Sequence, residues 1–235
     1  MKDFSLIELL KDFGRKRVNE DPYPEAAEHP VLHDLDILVL ADTHHAIPAE
    51  LLYQKTQTDP DLVLILGDVN FADLQTFFNG NFVPRETPIY AIFGNHDPKD
   101  LFSFFPRIHV LEEGRVEEIS VKGKTITMTG LYGSIRYKNT DHYILHSHKE
   151  SVDLLDPLPK VDLLITHSNP EFEKPEDNQY EDICQDAHCG LYGIGKYIDD
   201  KQPELVLHGH LHKQFIHKRK DTYVRCCYMV ECFRI

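Results

Sequence analysis

Five short segments carry carboxylates, imidazoles and one carboxamide at spacings that suit a shared cation. They are Asp42-Thr43-His44, Gly67-Asp68, Gly94-Asn95-His96-Asp97, Thr166-His167 and Gly209-His210-Leu211-His212. In Asp-x-His and His-x-His the alternate side chains leave an extended backbone on one side, so both members can reach a single ion. A donor set of carboxylate oxygens, imidazoles and an amide carbonyl, with no thiolate, favours Mn²⁺, Fe or Zn²⁺ and disfavours a cysteine-type structural zinc site. The glycines before Asp68, Asn95 and His210 are expected to let the chain turn sharply and aim each ligand. Any one fragment alone is weak, since a single buried histidine is more often a satisfied core residue than a ligand. It is the ordered set that points to metal.

Such a set works only if the fold brings its members to one end. Each segment directly follows a run that reads as a buried strand: 35–41, 62–66, 89–93, 161–166 and 205–208. Helical stretches are predicted at 48–57, where Pro48 suits a first turn, and at 73–78, 99–105 and 190–199. Hairpins are predicted for 116–121 with 125–129, and for 214–217 with 222–230. Strand and helix alternate with short connections, so the first three strands are expected to be parallel, with ligands in the loops beyond their carboxyl ends. The fold class expected is α/β, a two-sheet sandwich with a βαβαβ core flanked by helices. Residues 1–33 read as a helical arm and a proline-rich linker, and 34–235 as the catalytic domain.

The five segments resemble the motifs of the calcineurin-like metallophosphoesterase superfamily, a resemblance that spans about residues 35–215. It implies two divalent metal ions, with Mn²⁺ preferred and Fe or Zn²⁺ as alternatives. Asp42, His44, Asp68 and His212 would hold one, and Asp68, Asn95, His167 and His210 the other, with Asp68 shared. It implies hydrolysis of a phosphate ester by a metal-bound hydroxide. His96 would bind substrate or protonate the leaving oxygen, Asn95 would touch substrate as well as metal, and Asp97 would orient His96 from behind. Ala41 and His45 flank the first motif where Ser and Gly are usual, and Asn70 precedes the place where an acid or Asn is common. His45 is an extra imidazole near the metals that either touches substrate or, the preferred reading, sits behind the ligands or faces solvent.

Other residues narrow the substrate. Protein phosphatases of the superfamily carry arginines where this chain has Phe71-Ala72-Asp73 and Phe93, so that class is disfavoured. Residues 130–137 and His188-Cys189-Gly190 resemble segments of small bacterial and phage members. Within them Arg136 is either a phosphate clamp or a surface arginine, and His188 either lines the pocket or caps the following helix. The acidic stretch 171–186 is either a lid or a solvated loop, and Lys218-Arg219-Lys220 either a strand-binding patch or a solubilising turn.

A formal net charge of −14 argues against broad duplex binding. The five cysteines are odd in number and suit no disulfide framework; Cys184 and Cys189 are too loosely spaced for a zinc knuckle, and Cys226, Cys227 and Cys232 read as core residues. No apolar run approaches the ~20 residues of a membrane span and no signal peptide is legible, so a cytoplasmic location is expected. The partner expected is a small phosphoester, with short nucleic acid next and no membrane; the oligomeric state is not legible. A phosphodiester, nucleotide-derived, is preferred. Phosphomonoesterase, metal-dependent nuclease and non-catalytic scaffold are the alternatives.

Overall fold

The computed structural model describes residues 32–44, 47–57, 59–176, 180, 183–184 and 186–235. The expected arm therefore lies outside the described residues except for Leu32 and His33, and so does His45.

Along β1 (Asp36–Ala41), Ile37, Val39 and Ala41 enter one apolar cluster while Leu38 and Leu40 enter another. β2 (Leu62–Ile65) divides in the same way, with Leu62 and Leu64 on one side and Val63 and Ile65 on the other. A strand buried on both faces needs no polar alternation, which is why these runs are continuously apolar. β3 (Ile89–Ala91) and β4 (Ile108–Val110) complete a parallel set in the order β1-β2-β3-β4.

A second sheet holds β5 (Glu117–Val121), β6 (Lys124–Leu131), β9 (Leu163–Thr166), β10 (Leu205–His208), β11 (Phe215–Arg219) and β12 (Thr222–Cys226). Their order is β11-β12-β10-β9-β6-β5, with β12, β10, β9 and β6 parallel. Leu163, Ile165, Leu205 and Leu207 face the first sheet and pack with Ile37, Val39 and Leu64 in the central core. The short pair β7 (Ser134–Ile135) and β8 (Leu145–His146) stands apart.

Helices close both outer faces. α1 (Ala49–Lys55), α2 (Phe71–Asn79) and the 3-10 turn Leu101–Phe104 bring Leu52, Leu74, Phe77, Leu101 and Phe102 onto the first sheet. α3 (His148–Leu155) and α4 (Tyr192–Lys201) bring Leu155, Ile194, Tyr197 and Ile198 onto Leu164, Val206 and Val224 of the second. The result is the expected two-sheet α/β sandwich. No helix among the described residues is long and apolar enough to cross a membrane.

Two details differ from the sequence reading. The predicted hairpin arm 222–230 breaks at Cys227, which is fully buried in the central core. The chain then crosses as β13 (Met229–Arg234) and pairs antiparallel with β1, covering an edge that would otherwise be open. α3 lies in a stretch for which no element is predicted, yet Ser147 and Glu150 form a complete capping box at its start.

Candidate metal centre

All five segments meet at one end of the sandwich, in the loops beyond β1, β2, β3, β9 and β10. The two sheets are tied together there by polar contacts. The His210 amide donates to Asp42 Oδ2 at 2.7 Å, and His167 Nδ1 bonds the Leu66 carbonyl at 2.8 Å.

The loops hold unusual backbone. Asp42, Asp68, His210 and His212 have φ of 53°, 51°, 69° and 52°, in the left-handed region that non-glycine residues avoid. Such strain costs on the order of 1 kcal/mol or more per residue and persists only where the surroundings enforce it. Of the three glycines expected to provide turns, only Gly67 has a positive φ, 88°. Gly94 and Gly209 serve by being small: a Cβ on Gly94 would lie 2.1 Å from Asp68 Oδ1, and one on Gly209 2.7 Å from Asp42 Oδ2.

Asp42, His44 and His212 offer ligand atoms all within 4.8 Å of one another, as do Asp42, Asp68 and His167. Asp68 Oδ2 lies 3.6 Å from His44 Nε2 and 3.4 Å from His167 Nε2, so one carboxylate faces both groups. Asn95 Oδ1 is 3.0 Å from His167 Nε2, and the His210 ring stands 5.1 Å from that of His167. His210 Nε2 bonds the Ala187 carbonyl at 2.8 Å, and a donor there leaves Nδ1 with its lone pair. His167 is placed likewise: Nδ1 donates to Leu66, which turns Nε2 toward the centre.

The cluster is short of positive charge. Asp42 Oδ1 is buried without a hydrogen-bond partner among the described residues, as is Asn95 Nδ2. Burial raises the Asp42 carboxyl to about 6, with Asp68 adding to the rise and His167 opposing it. Burial would push His167 down, but Asp68 and Asp42 hold it above the ordinary imidazole range. Asp68 is correspondingly lowered: burial opposes its charge, and His167 more than compensates. Burial and the neighbouring His167 keep His210 neutral, down at about 3. Acceptors aimed at one another, an orphaned carboxylate oxygen and neutral imidazoles are what divalent cations satisfy. The residues present fit such ions.

The family described as calcineurin-like phosphoesterase matches residues 35–214, the span from the first strand to the last of these ligands. The chain belongs to the calcineurin-like phosphoesterase family. Among solved structures it is similar to TT1561 of Thermus thermophilus, at 13% identity over 85% of this chain and 98% of that one, with a TM-score of 0.51. It is also similar to the phosphopantetheinyl hydrolase of Mycobacterium tuberculosis, at 11% identity over 86% and 97%, with a TM-score of 0.53. At these identities the likeness is one of fold. No curated protein matches the chain.

In this calcineurin-like phosphoesterase three expected site residues sit outside the metal cluster. The His96 amide donates to Asp68 Oδ1 at 2.8 Å, while its exposed ring stands edge-on to Tyr143, 4.9 Å between centroids. Burial holds the His96 imidazole below its ordinary pKa, against the pull of Asp68 and helped by His44. His188 packs its ring 4.8 Å from that of His210, at the rim of the centre. Arg136 does not present a free fork, because its Nη2 bonds both oxygens of Glu150 at 2.9 and 2.6 Å.

Asp97 corrects an expectation. It lies behind the centre, but its oxygens accept backbone amides: Oδ2 those of Gly94 at 2.7 Å and Asp68 at 2.9 Å, Oδ1 that of Val69 at 3.0 Å. It therefore fastens the two ligand loops to each other rather than orienting the His96 ring. Asp73, missed in the sequence, does the same for the first loop. It is buried and takes the Thr43 hydroxyl at 2.7 Å and the Ile47 amide. Asn70, noted as a departure from the family pattern, caps α2 by accepting the Asp73 amide. No local signal separates such buried acids from surface ones.

Two further expectations find their place. The Lys218–Lys220 turn is largely engaged, since Arg219 and Lys220 both pair with Asp199 of α4. In the described part of the acidic stretch, Ile183 lines a cavity beside His96 and the Cys184 amide donates to the Arg136 carbonyl.

Proposed function

We propose that this chain is a phosphodiesterase that works with two divalent cations, Mn²⁺ before Fe or Zn²⁺. The observation that carries the reading is Asp68 Oδ2, which lies within 3.6 Å of an imidazole nitrogen of each ligand group. A carboxylate so placed can be shared by neighbouring ions. Bound there, the cations supply Lewis acidity toward the phosphoryl oxygens and toward a water.

The chain's own residues supply the rest. His44, His167, His210 and His212, with Asp42, Asp68 and Asn95, hold the ions and fix where the phosphate lies. Asp97 and Asp73 hold their loops at that geometry. His96 stands beside the centre with its backbone tied to Asp68 and its exposed ring packed edge-on to Tyr143, so its imidazole can give a proton to the departing oxygen. A cavity of about 510 Å³ lies beyond Tyr143, whose ring separates it from His96, and a substituent on the departing oxygen that passes this ring would find space there, which is the ground for preferring a diester. Nucleotide-derived diesters and short oligonucleotides fit this reading as substrates.

The test is hydrolysis of bis(p-nitrophenyl) phosphate beside p-nitrophenyl phosphate by metal-stripped protein, with and without Mn²⁺. Metal-restored cleavage favouring the diester is expected. Cleavage of the monoester alone would replace the reading with a phosphomonoesterase.

A further inference from the structure

The cavity beside His96 carries chemistry that the metal centre does not use. Its lining includes Lys99, Arg136, Lys138, Asp141, Tyr143 and Ile183. Arg136 is matched by Glu150, and Asp141 is an exposed acid in the lining that offsets one of the remaining charges. Lys99 and Lys138 form no ion pair with any described residue. In a chain of net charge −14, this is a local cationic surface.

Its position relative to the reacting centre is set by a short ladder. Lys138 Nζ lies 3.4 Å from the centroid of the Tyr143 ring, and that ring stands edge-on to His96. The ammonium is thus one tyrosine ring away from the imidazole. The backbone enforces this spacing, because the Ile144 amide donates to the carbonyl of Asn95 at 3.3 Å and the Ser134 amide donates to the Ile144 carbonyl. Gly133 makes the approach possible: a Cβ there would lie 2.0 Å from the Ile144 oxygen.

We propose that this cavity seats a second phosphate, carried on the departing alcohol of the diester substrate, with Lys138 and Lys99 as its ligands. The placement rests on the phosphodiesterase reading, in which His96 faces the leaving oxygen. A lysine ammonium recognises phosphate as a point charge with freely rotating donors, which suits a substituent on a flexible alcohol. The Tyr143 ring holds Lys138 by its face, so the cation is preorganised without being neutralised by an acid.

Binding tests the cavity apart from catalysis. In chelator-treated full-length protein, Asp42 and Asp68 repel phosphate, so thymidine 3′-phosphate and thymidine 5′-phosphate report on the cationic cavity. At least one of them is expected to bind about tenfold more tightly than thymidine by calorimetry or NMR titration. The gap should vanish in Lys99→Ala/Lys138→Ala and persist in Lys138→Arg. In metal-loaded protein, dithymidylate bearing a terminal phosphate on one end should exceed unphosphorylated dithymidylate in kcat/KM by a similar factor. That ratio should collapse in the double variant. Equal binding of thymidine and its phosphates, or a gap that survives in the double variant, overturns the cavity as a phosphate seat. A binding gap without dinucleotide cleavage by loaded protein overturns its placement on a departing alcohol and the diester reading together.

Discussion

Replacing Asp97 by Asn separates two roles for that carboxylate. The side chain is almost fully buried, and its oxygens accept the amides of Gly94, Asp68 and Val69. Asparagine keeps one acceptor, which can still serve Gly94 and Asp68. Its amide group then meets the Val69 N–H donor to donor. A lost charge-assisted hydrogen bond and a buried unpaired N–H together cost about 2–4 kcal/mol. Part of this is returned, since burial and the nearby Asp68 already raise the Asp97 carboxyl to about 7, and Asn carries no charge to desolvate. A net loss of about 2 kcal/mol lowers the melting temperature of a domain this size by about 4–8 °C. Thermal melts of chelated and metal-loaded protein, with metal content by elemental analysis, read this directly. Because the bonds fasten the loops of Asp68 and Asn95, metal affinity should fall with stability. A variant that melts within 1–2 °C of wild type, retains its metal and shows only a displaced pH–rate profile would refute the fastening role and restore the one in which Asp97 orients His96 (the ~2 °C limit being the shift of a negligible energy change).

Four other outcomes are expected. His96→Ala should keep its metal content and lose about 10²–10⁴ in kcat, most severely for diesters with poor leaving groups; wild-type rates on an unactivated diester would remove the acid role. Gly94→Ala forces a methyl against Asp68 at 2.1 Å, and urea unfolding should show a loss of ~3 kcal/mol or more together with loss of bound metal. Adding back divalent ion to chelated protein should raise its melting temperature with saturable dependence, and Asp68→Asn should blunt that response more than Lys138→Ala does. Burial lowers His208 to about 3, so it stays neutral when folded but protonates near 6.5 when unfolded. Its contribution is complete above about 6.5 and is lost as pH falls toward 3, with about 2 kcal/mol already lost at pH 5. Urea midpoints at pH 7.5 and pH 5 should therefore lie closer together in His208→Leu than in wild type, and an unchanged gap would count against it.

Much of this protein is legible in its amino-acid sequence. Continuous apolar runs followed by Asp-x-His, Gly-Asp, Gly-Asn-His-Asp and Gly-His-x-His are local signals. The strand and the loop residue that follows it are adjacent in the chain, so their order survives without tertiary information. The candidate ligand set, the parallel core and the sandwich architecture are legible on those terms. What local sequence does not carry is which buried acid holds which distant backbone. Asp97 and Asp73 look like loop and helix residues, and their partners lie in loops brought near only when the sheets pack. The crossing at Cys227 is likewise a tertiary decision. Residues 222–230 have the pattern of one strand, but an open edge on β1 and a place in the central core divide them between two sheets. Arg136 shows the same limit from the other side: its type suits a phosphate, and only the fold puts Glu150 against it while leaving Lys138 beside Tyr143. Residue type and spacing determine which groups can ligate a metal; the packing of two sheets decides which charges are left unmatched around it.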